Sequence, residues 1–331
     1  MKAAVLTELN APLVVAEVEP CELDYGQVLV RLVASGICGA QLQELRGEKG
    51  GALPHLMGHE GCGIVEKIGP MVTRVKVGDK VVMHWRKAAG IESSFPRYVF
   101  DGKSITSGLV TTFAEKSICS ENRLTFVPAD TDPGLCALLG CGLSTALATL
   151  ESETRGLGEN ILILGCGGLG MALIGSLHLV CPSRVCACDV HEKKRRFCEV
   201  NDAEYVNLGK REKVEGKFDL VLDTAGAPEA MEMALEHMAP WGRYVMIGQP
   251  PPGKPVCIKA ARHLFEGEGK LIKATQGGGF RPDLDIPRYL RVADDLFVHS
   301  LITHRVSLDQ INDAIELVKA GEAGRVLIEF S

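Results

Sequence analysis

The stretch Ile161-Leu162-Ile163-Leu164-Gly165-Cys166-Gly167-Gly168-Leu169-Gly170 decides how the middle of this 331-residue chain folds. Four consecutive aliphatic residues make the kind of short strand that is covered on both faces of a parallel sheet. The glycines that follow meet three demands at once: a tight turn, close approach of the backbone to a bound group, and close packing of helix on strand. Residues 169–179 read as a helix, so the amides at its start would face an anion. A second strand, Arg184-Val185-Cys186-Ala187-Cys188, leads to Asp189, nineteen residues after Gly170. A carboxylate at that place accepts hydrogen bonds from an adenosine ribose and repels a ribose 2′-phosphate. The unit therefore reads as a dinucleotide-binding βαβ motif that prefers NAD, with Gly165, Gly167, Gly168, Leu169 and Gly170 along the pyrophosphate and Asp189 at the ribose. In the basic run Lys193-Lys194-Arg195-Arg196, Lys194 is the residue expected beside the ribose, the alternative being a solvated helix face.

Working outward, the same alternation continues. Phe218-Asp219-Leu220-Val221-Leu222 and Tyr244-Val245-Met246-Ile247 read as strands with a helix over residues 228–238 between them, which implies an α/β doubly wound parallel sheet. The first 145 residues are of a different kind. Alternating stretches such as Val28-Leu29-Val30-Arg31-Leu32-Val33 and Gly63-Ile64-Val65-Glu66-Lys67-Ile68, each followed by turn-forming sequence, predict a β-rich domain. Near the end a helix over 308–319, closed by Gly321, precedes a strand Arg325-Val326-Leu327-Ile328. No repeat or low-complexity tract interrupts this order.

Bulk properties narrow the functional classes. Hydrophobic residues make up 46% of the chain and aromatic residues only 5%, so the cores are expected to be aliphatic. A formal net charge of -6 supplies no field to attract nucleic-acid phosphates. No apolar run approaches the roughly 20 residues that span a bilayer, and the opening Met1-Lys2-Ala3-Ala4-Val5-Leu6 reads as a strand, not as a signal peptide. A cytoplasmic protein with neither nucleic-acid nor membrane partners is the expectation. Most of the twelve cysteines then read as reduced, buried residues.

Several local motifs combine into a resemblance that covers nearly the whole chain. They are Gly58-His59-Glu60, Val77-Gly78-Asp79-Lys80-Val81-Val82, Gly140-Cys141-Gly142-Leu143-Ser144-Thr145, the glycine fingerprint and the Arg325 tail. Together they resemble the medium-chain, zinc-dependent alcohol dehydrogenase family. The resemblance implies a GroES-like catalytic domain built from both chain ends (residues 1–146 and 281–331) around a Rossmann domain (147–280). It implies that Cys38, His59 and Cys141 hold one catalytic zinc ion, leaving a fourth position for water or substrate oxygen. It further implies Glu60 as a carboxylate near the metal, Thr145 near the nicotinamide, Gly248 along the cofactor, and Arg325 near the pyrophosphate or Glu60. By the same likeness the protein is expected to form a homodimer.

Departures from the family pattern carry as much information as the matches. Members with a second, structural zinc have four closely spaced cysteines after the Gly78-Asp79 stretch, whereas residues 86–109 contain none. Relatives often place Ser or Thr two residues after the first cysteine ligand, then Asp; this chain has Ala40 and Gln41. Ala40 cannot pass a proton, and Gln41 can bond to the His59 ring without supplying charge. Gln43 stands where a relay histidine would be, so His84 is the candidate proton donor, since imidazole titrates near physiological pH; the alternative is a structural histidine. By the same resemblance Trp85 would stand at a pocket-lining position, with Arg86 and Lys87 after it. A guanidinium there can grip an anion bidentately, so a polar and possibly anionic alcohol or carbonyl substrate is expected. Two other classes compete: a zinc-free quinone or enoyl reductase, and a non-enzymatic dinucleotide-binding structural protein.

Overall fold

The computed structural model describes residues 1–255, 257–258, 261–265, 267, 269–292 and 299–331. They fall into two compact units, Met1–Ser144 with Arg281–Ser331, and Thr145–Phe280.

The second unit is a six-stranded sheet in which every pairing is parallel, ordered Glu204–Asn207, Arg184–Asp189, Asn160–Leu164, Phe218–Asp223, Met238–Met246 and Leu271–Ala274. Numbered along the chain this is 3-2-1-4-5-6, the doubly wound dinucleotide-binding order, which reverses direction between Asn160–Leu164 and Phe218–Asp223. Leu162, Leu164, Cys186, Cys188, Phe218 and Val221 form its core with Met231, Ala234 and Leu235 of the helix Pro228–His237. The glycine-rich turn opens the helix Gly168–Ser176, which tightens into a 3-10 turn over Leu177–Leu179. The fifth strand begins earlier than Tyr244. Met238 pairs with Phe218 and, past an irregularity, Arg243 pairs with Leu220, so the Pro240-Trp241-Gly242 segment is a distortion within the strand.

The first unit carries two sheets. One has six strands, ordered Val14–Glu17, Lys2–Leu6, His55–Leu56, Lys103–Ser107, Tyr98–Phe100 and Glu19–Pro20. The other has seven and centres on Gln27–Ile37, flanked by Glu60–Ile68 and Arg325–Glu329 and joined also by Lys116–Ser120. Period-two alternation sends Val28, Val30 and Leu32 into one core with Val65, Val81, Met83 and Cys119. The last strand, Arg325–Glu329, pairs antiparallel with Gln27–Ile37, Val326 opposite Ile37 and Leu327 opposite Gly36, so segments from the two parts of this unit complete one sheet.

Candidate functional site

Three short devices bring the sulfur and nitrogen ligands together. Cys38 follows the long strand Gln27–Ile37 and caps the helix Gly39–Leu45. His59 immediately precedes the strand Glu60–Ile68; it is aimed by Gly58, whose φ of +98° suits glycine and whose Cβ would lie 2.5 Å from Thr112 Oγ1. Cys141 lies between the helices Pro133–Leu139 and Gly142–Glu153, the first of them started by Asp132, which accepts from the Leu135 amide at 2.8 Å. One ligand atom from each residue lies within 4.8 Å of the other two. His59 Nε2 is buried with no hydrogen-bond partner. A buried ring nitrogen left unpaired beside two thiols fits a set of metal ligands. The nearby Cys141 thiol and, after it, His59 hold the Cys38 thiol well below the ordinary thiol range, while Cys141 is pushed up in return. Two soft sulfurs and one imidazole with an open position suit zinc.

Around this cluster the charges are buried and paired. Glu60 is fully buried; its Oε1 lies 3.3 Å from Arg325 Nη1 and its Oε2 accepts from the Gly142 amide at 3.1 Å. Burial pushes the Glu60 carboxyl up, against the pull of Arg325. The Arg325 guanidinium occupies the space where residue 142 would carry a side chain: a Cβ there would fall 1.4 Å from Nη2, so only glycine fits. Thus Arg325 meets Glu60 within its own unit.

His84 does not serve as the expected proton relay. It ends the strand Lys80–His84, fully buried, with Nδ1 2.6 Å from the Arg86 carbonyl oxygen and Nε2 3.0 Å from Thr125 Oγ1. Both ring nitrogens are engaged in holding the turn behind it, and burial lowers its pKa to about 4, out of the range useful near neutrality. Trp85 and Arg86 are half-buried and Lys87 exposed; the Arg86 guanidinium carbon lies 5.3 Å from the centroid of the Trp85 ring. Arg123, which the sequence did not single out, donates to the Trp85 carbonyl and, at 2.6 Å, to Glu92.

In the second unit the glycine turn has the geometry that a pyrophosphate needs. Gly165 has a φ of +89°, and a Cβ on Gly170 would lie 1.9 Å from the Gly165 carbonyl oxygen, whereas Gly167 has open space before it. Gly168 and Leu169 begin the helix. Asp189 is held by two backbone amides, Cys166 to Oδ2 at 2.7 Å and His191 to Oδ1 at 2.9 Å, leaving a lone pair on each oxygen for a sugar hydroxyl. Lys194 is buried, and its pKa is lowered by that burial although Asp189 draws it up. Gly248 packs so closely that a Cβ would approach the Gly226 amide to 2.4 Å. Thr145 is buried in the helix Gly142–Glu153. A further anchor is Asp223, at the end of the fourth strand, which accepts from Tyr244 Oη at 2.8 Å and from the amides of Ala225 and Gly226. Its only sequence signal is an acid ending an apolar strand, as with Asp189.

Two thiols and an imidazole that could hold a metal ion lie in one unit, and a sheet of dinucleotide-binding order forms the other, the parts expected of a dehydrogenase. The alcohol dehydrogenase GroES-like domain family matches residues 24–129, and the zinc-binding dehydrogenase family matches residues 168–292. The chain is 27% identical to the class-3 alcohol dehydrogenase of Drosophila melanogaster, over 99% of this chain and 97% of that one. Among solved structures it is similar to benzyl alcohol dehydrogenase from Acinetobacter calcoaceticus (22% identity, 100% and 99% coverage, TM-score 0.89). It is also similar to a zinc-binding dehydrogenase from Sinorhizobium meliloti bound to NADP (23% identity, 99% of each chain, TM-score 0.81). The chain belongs to the medium-chain zinc-dependent alcohol dehydrogenase family and is an oxidoreductase acting on an alcohol or carbonyl compound.

Proposed function

We propose that the protein interconverts a polar, anionic alcohol and its aldehyde or ketone, using NAD(H) and one zinc ion held by Cys38, His59 and Cys141. The observation that carries the reading is the buried, unpartnered His59 Nε2 among ligand atoms within 4.8 Å of one another. When bound, zinc acts as a Lewis acid on the substrate oxygen and the nicotinamide exchanges hydride with its carbon. Cys38, His59 and Cys141 would hold the ion, leaving it free to take up a substrate oxygen. Glu60 and Arg325 set the field at the two sulfurs without exposing a charge to solvent. The amides following Gly167 receive the pyrophosphate, and Asp189 favours NAD by accepting from ribose hydroxyls and repelling a 2′-phosphate. With Ala40 and Gln43 at the relay positions and His84 committed to the Arg86 carbonyl, the substrate proton leaves directly to water. Arg86, lying by the Trp85 ring, grips the anionic group.

A single experiment tests the parts together: metal content of freshly purified protein, with NAD and NADP reduction across neutral alcohols, polyols and phosphorylated alcohols. One zinc per chain, faster NAD reduction and a lower KM for the phosphorylated alcohols are expected. Protein without zinc would favour the quinone or enoyl reductase class, and cofactor binding without turnover a structural role. Substitution Arg86→Ala should raise KM for an anionic substrate roughly tenfold or more, the size of one lost charge-assisted bond, and leave a neutral one nearly unchanged; equal effects refute the assignment.

The homodimer belongs to the same proposal. The strand Leu271–Ala274 forms an edge of the parallel sheet, with Leu271 and Ile272 exposed on it and Trp241 exposed on its neighbour. An apolar sheet edge is a template for pairing with a second copy.

A further inference from the structure

The amide of Gln41 faces two groups whose demands become incompatible when a metal binds. Gln41 is the third residue of the helix Gly39–Leu45 and is fully buried. Its Oε1 accepts from the Cys38 backbone amide at 3.0 Å, the reach of a capping box, and its Nε2 lies 2.5 Å from His59 Nδ1. The two ends of a glutamine amide are hard to tell apart in isolation, but here the neighbours decide. A backbone N–H only donates, so the amide atom facing Cys38 must be the oxygen. The nitrogen then faces His59, and because that nitrogen only donates, Nδ1 must be the unprotonated acceptor. In the neutral imidazole the single ring proton therefore sits on Nε2, the atom aimed among Cys38 and Cys141.

That arrangement blocks coordination. A metal bound through Nε2 needs its lone pair, which moves the ring proton to Nδ1 and makes Nδ1 a donor. Gln41 Nε2 cannot accept it. Turning the amide over presents Oε1 to Nδ1 but puts the –NH2 group against the Cys38 amide, two donors face to face in a buried place. One hydrogen bond is lost whichever way the amide lies. A carboxylate of the same length would accept from both at once.

We propose that Gln41 is a positioning residue that keeps His59 in the Nε2–H tautomer until a metal arrives, and that it makes this site a weaker and more exchangeable zinc site than a carboxylate at position 41 would. This rests on the zinc reading above and adds to it a reason for facile metal loss. Metal binding breaks no bond to carbon: the ring proton relocates from Nε2 to Nδ1, the protons still carried by the Cys38 and Cys141 thiols leave to solvent as the sulfurs ligate, and the Gln41 amide turns.

Two measurements test it. Zinc transfer from the holoenzyme to a chromophoric chelator is titrated for the natural chain, for the isosteric Gln41→Glu and for Gln41→Met. Gln41→Glu should hold zinc roughly 10- to 100-fold more tightly than the natural chain, the size of effect seen for outer partners of metal-bound histidines, whereas Gln41→Met should hold it no more tightly than the natural chain. A merely structural Gln41 would weaken zinc binding in both variants, and Gln41→Glu binding no tighter overturns the proposal. Independently, 15N spectra of the natural chain with labelled histidine, with His59 assigned by its loss in His59→Gln, should show the ring proton on Nε2 without metal and on Nδ1 with it. A proton on Nδ1 in the metal-free chain overturns the proposal even if the variants fail to fold. Holoenzyme purified without zinc would refute the zinc reading itself, while the metal-free spectrum still judges the tautomer.

Discussion

Glu60 and Arg325 lie 265 positions apart in sequence and meet in the interior, with side chains 0% and 4% exposed. A pair so placed gains little net stability, yet removing one member strands the other in a medium that disfavours its charge. Arg325→Met should therefore cost about 3–5 kcal/mol in urea unfolding at neutral pH, and Gly142→Ala should also be destabilising, because its Cβ would overlap the guanidinium. His84 makes a different residue-scale prediction. Burial first, then the nearby Arg123, depresses its pKa from the ordinary 6.5 to about 4, while the Arg86 carbonyl and Asp283 oppose the fall. The unfolded chain then takes up the proton first on acidification, so the contribution of His84 is intact above pH 6.5 and is lost as pH falls towards 4. At 1.36 kcal/mol per unit, the loss is about 3 kcal/mol. His84→Gln retains a donor and an acceptor but cannot titrate, and should flatten this limb of the stability profile; an unchanged slope refutes the assignment. The sequence marked His84 as an imidazole near a pocket, but no periodicity reveals that its two nitrogens are already taken by Arg86 and Thr125. Nor could spacing alone choose Cys38, His59 and Cys141 among twelve cysteines and nine histidines; the family resemblance was needed, because the three meet only through long-range pairing.

The cysteine-free lobe over residues 86–95 is tied by carboxylates and backbone amides. The Glu121 carboxylate, almost wholly buried, accepts from the amides of Thr73 at 2.7 Å, Arg74 at 2.9 Å and Ile91 at 2.9 Å. Arg123 spans from the Trp85 carbonyl to Glu92, whose other oxygen accepts from Asn122 Nδ2 at 3.2 Å. Glu121→Gln replaces one acceptor oxygen with a donor amid backbone amides and should cost about 1–3 kcal/mol. Faster hydrogen exchange at Ile91 than at the sheet amide of Val82 would locate the loss; uniform change would argue against a local tie. Regular elements of this molecule were legible where one period dominates, as in Gln27–Ile37 and Asn160–Leu164. They were less so where local chemistry competes with tertiary pairing. The segment Met238–Met246 contains Pro240 and Gly242, yet parallel neighbours on both sides hold it in the sheet. The lobe carries no periodicity, so the absence of cysteines was readable and its replacement by Glu121 and Arg123 was not.

At the scale of the molecule, both ends of the chain are required for one unit, because Arg325–Glu329 pairs with Gln27–Ile37 and carries Arg325 to Glu60. The sequence conveyed this only through resemblance, since a terminal apolar strand does not say which strand it joins. The same ambiguity surrounds the other sheet. Leu271 and Ile272 are 46% and 36% exposed on an edge strand, and Trp241 is 54% exposed nearby. Apolar side chains on an edge that is unpaired among the described residues invite association, and single-chain proteins usually blunt such edges with charge. Here Lys273 supplies a charge, but its Nζ lies 2.6 Å from Glu153 Oε1, within the same unit, which offsets its repulsion of a second copy. If the proposed dimer forms by joining these edges, light scattering should give twice the chain mass of 35.6 kDa, and replacing Leu271 and Ile272 together by Lys should reduce it to the single-chain value while one zinc per chain is retained. Like charges opposed across the axis, together with the lost burial, supply the repulsion. A dimer that survives the double substitution would place the interface elsewhere, and a natural chain that is monomeric would show that the exposed edge serves no self-association.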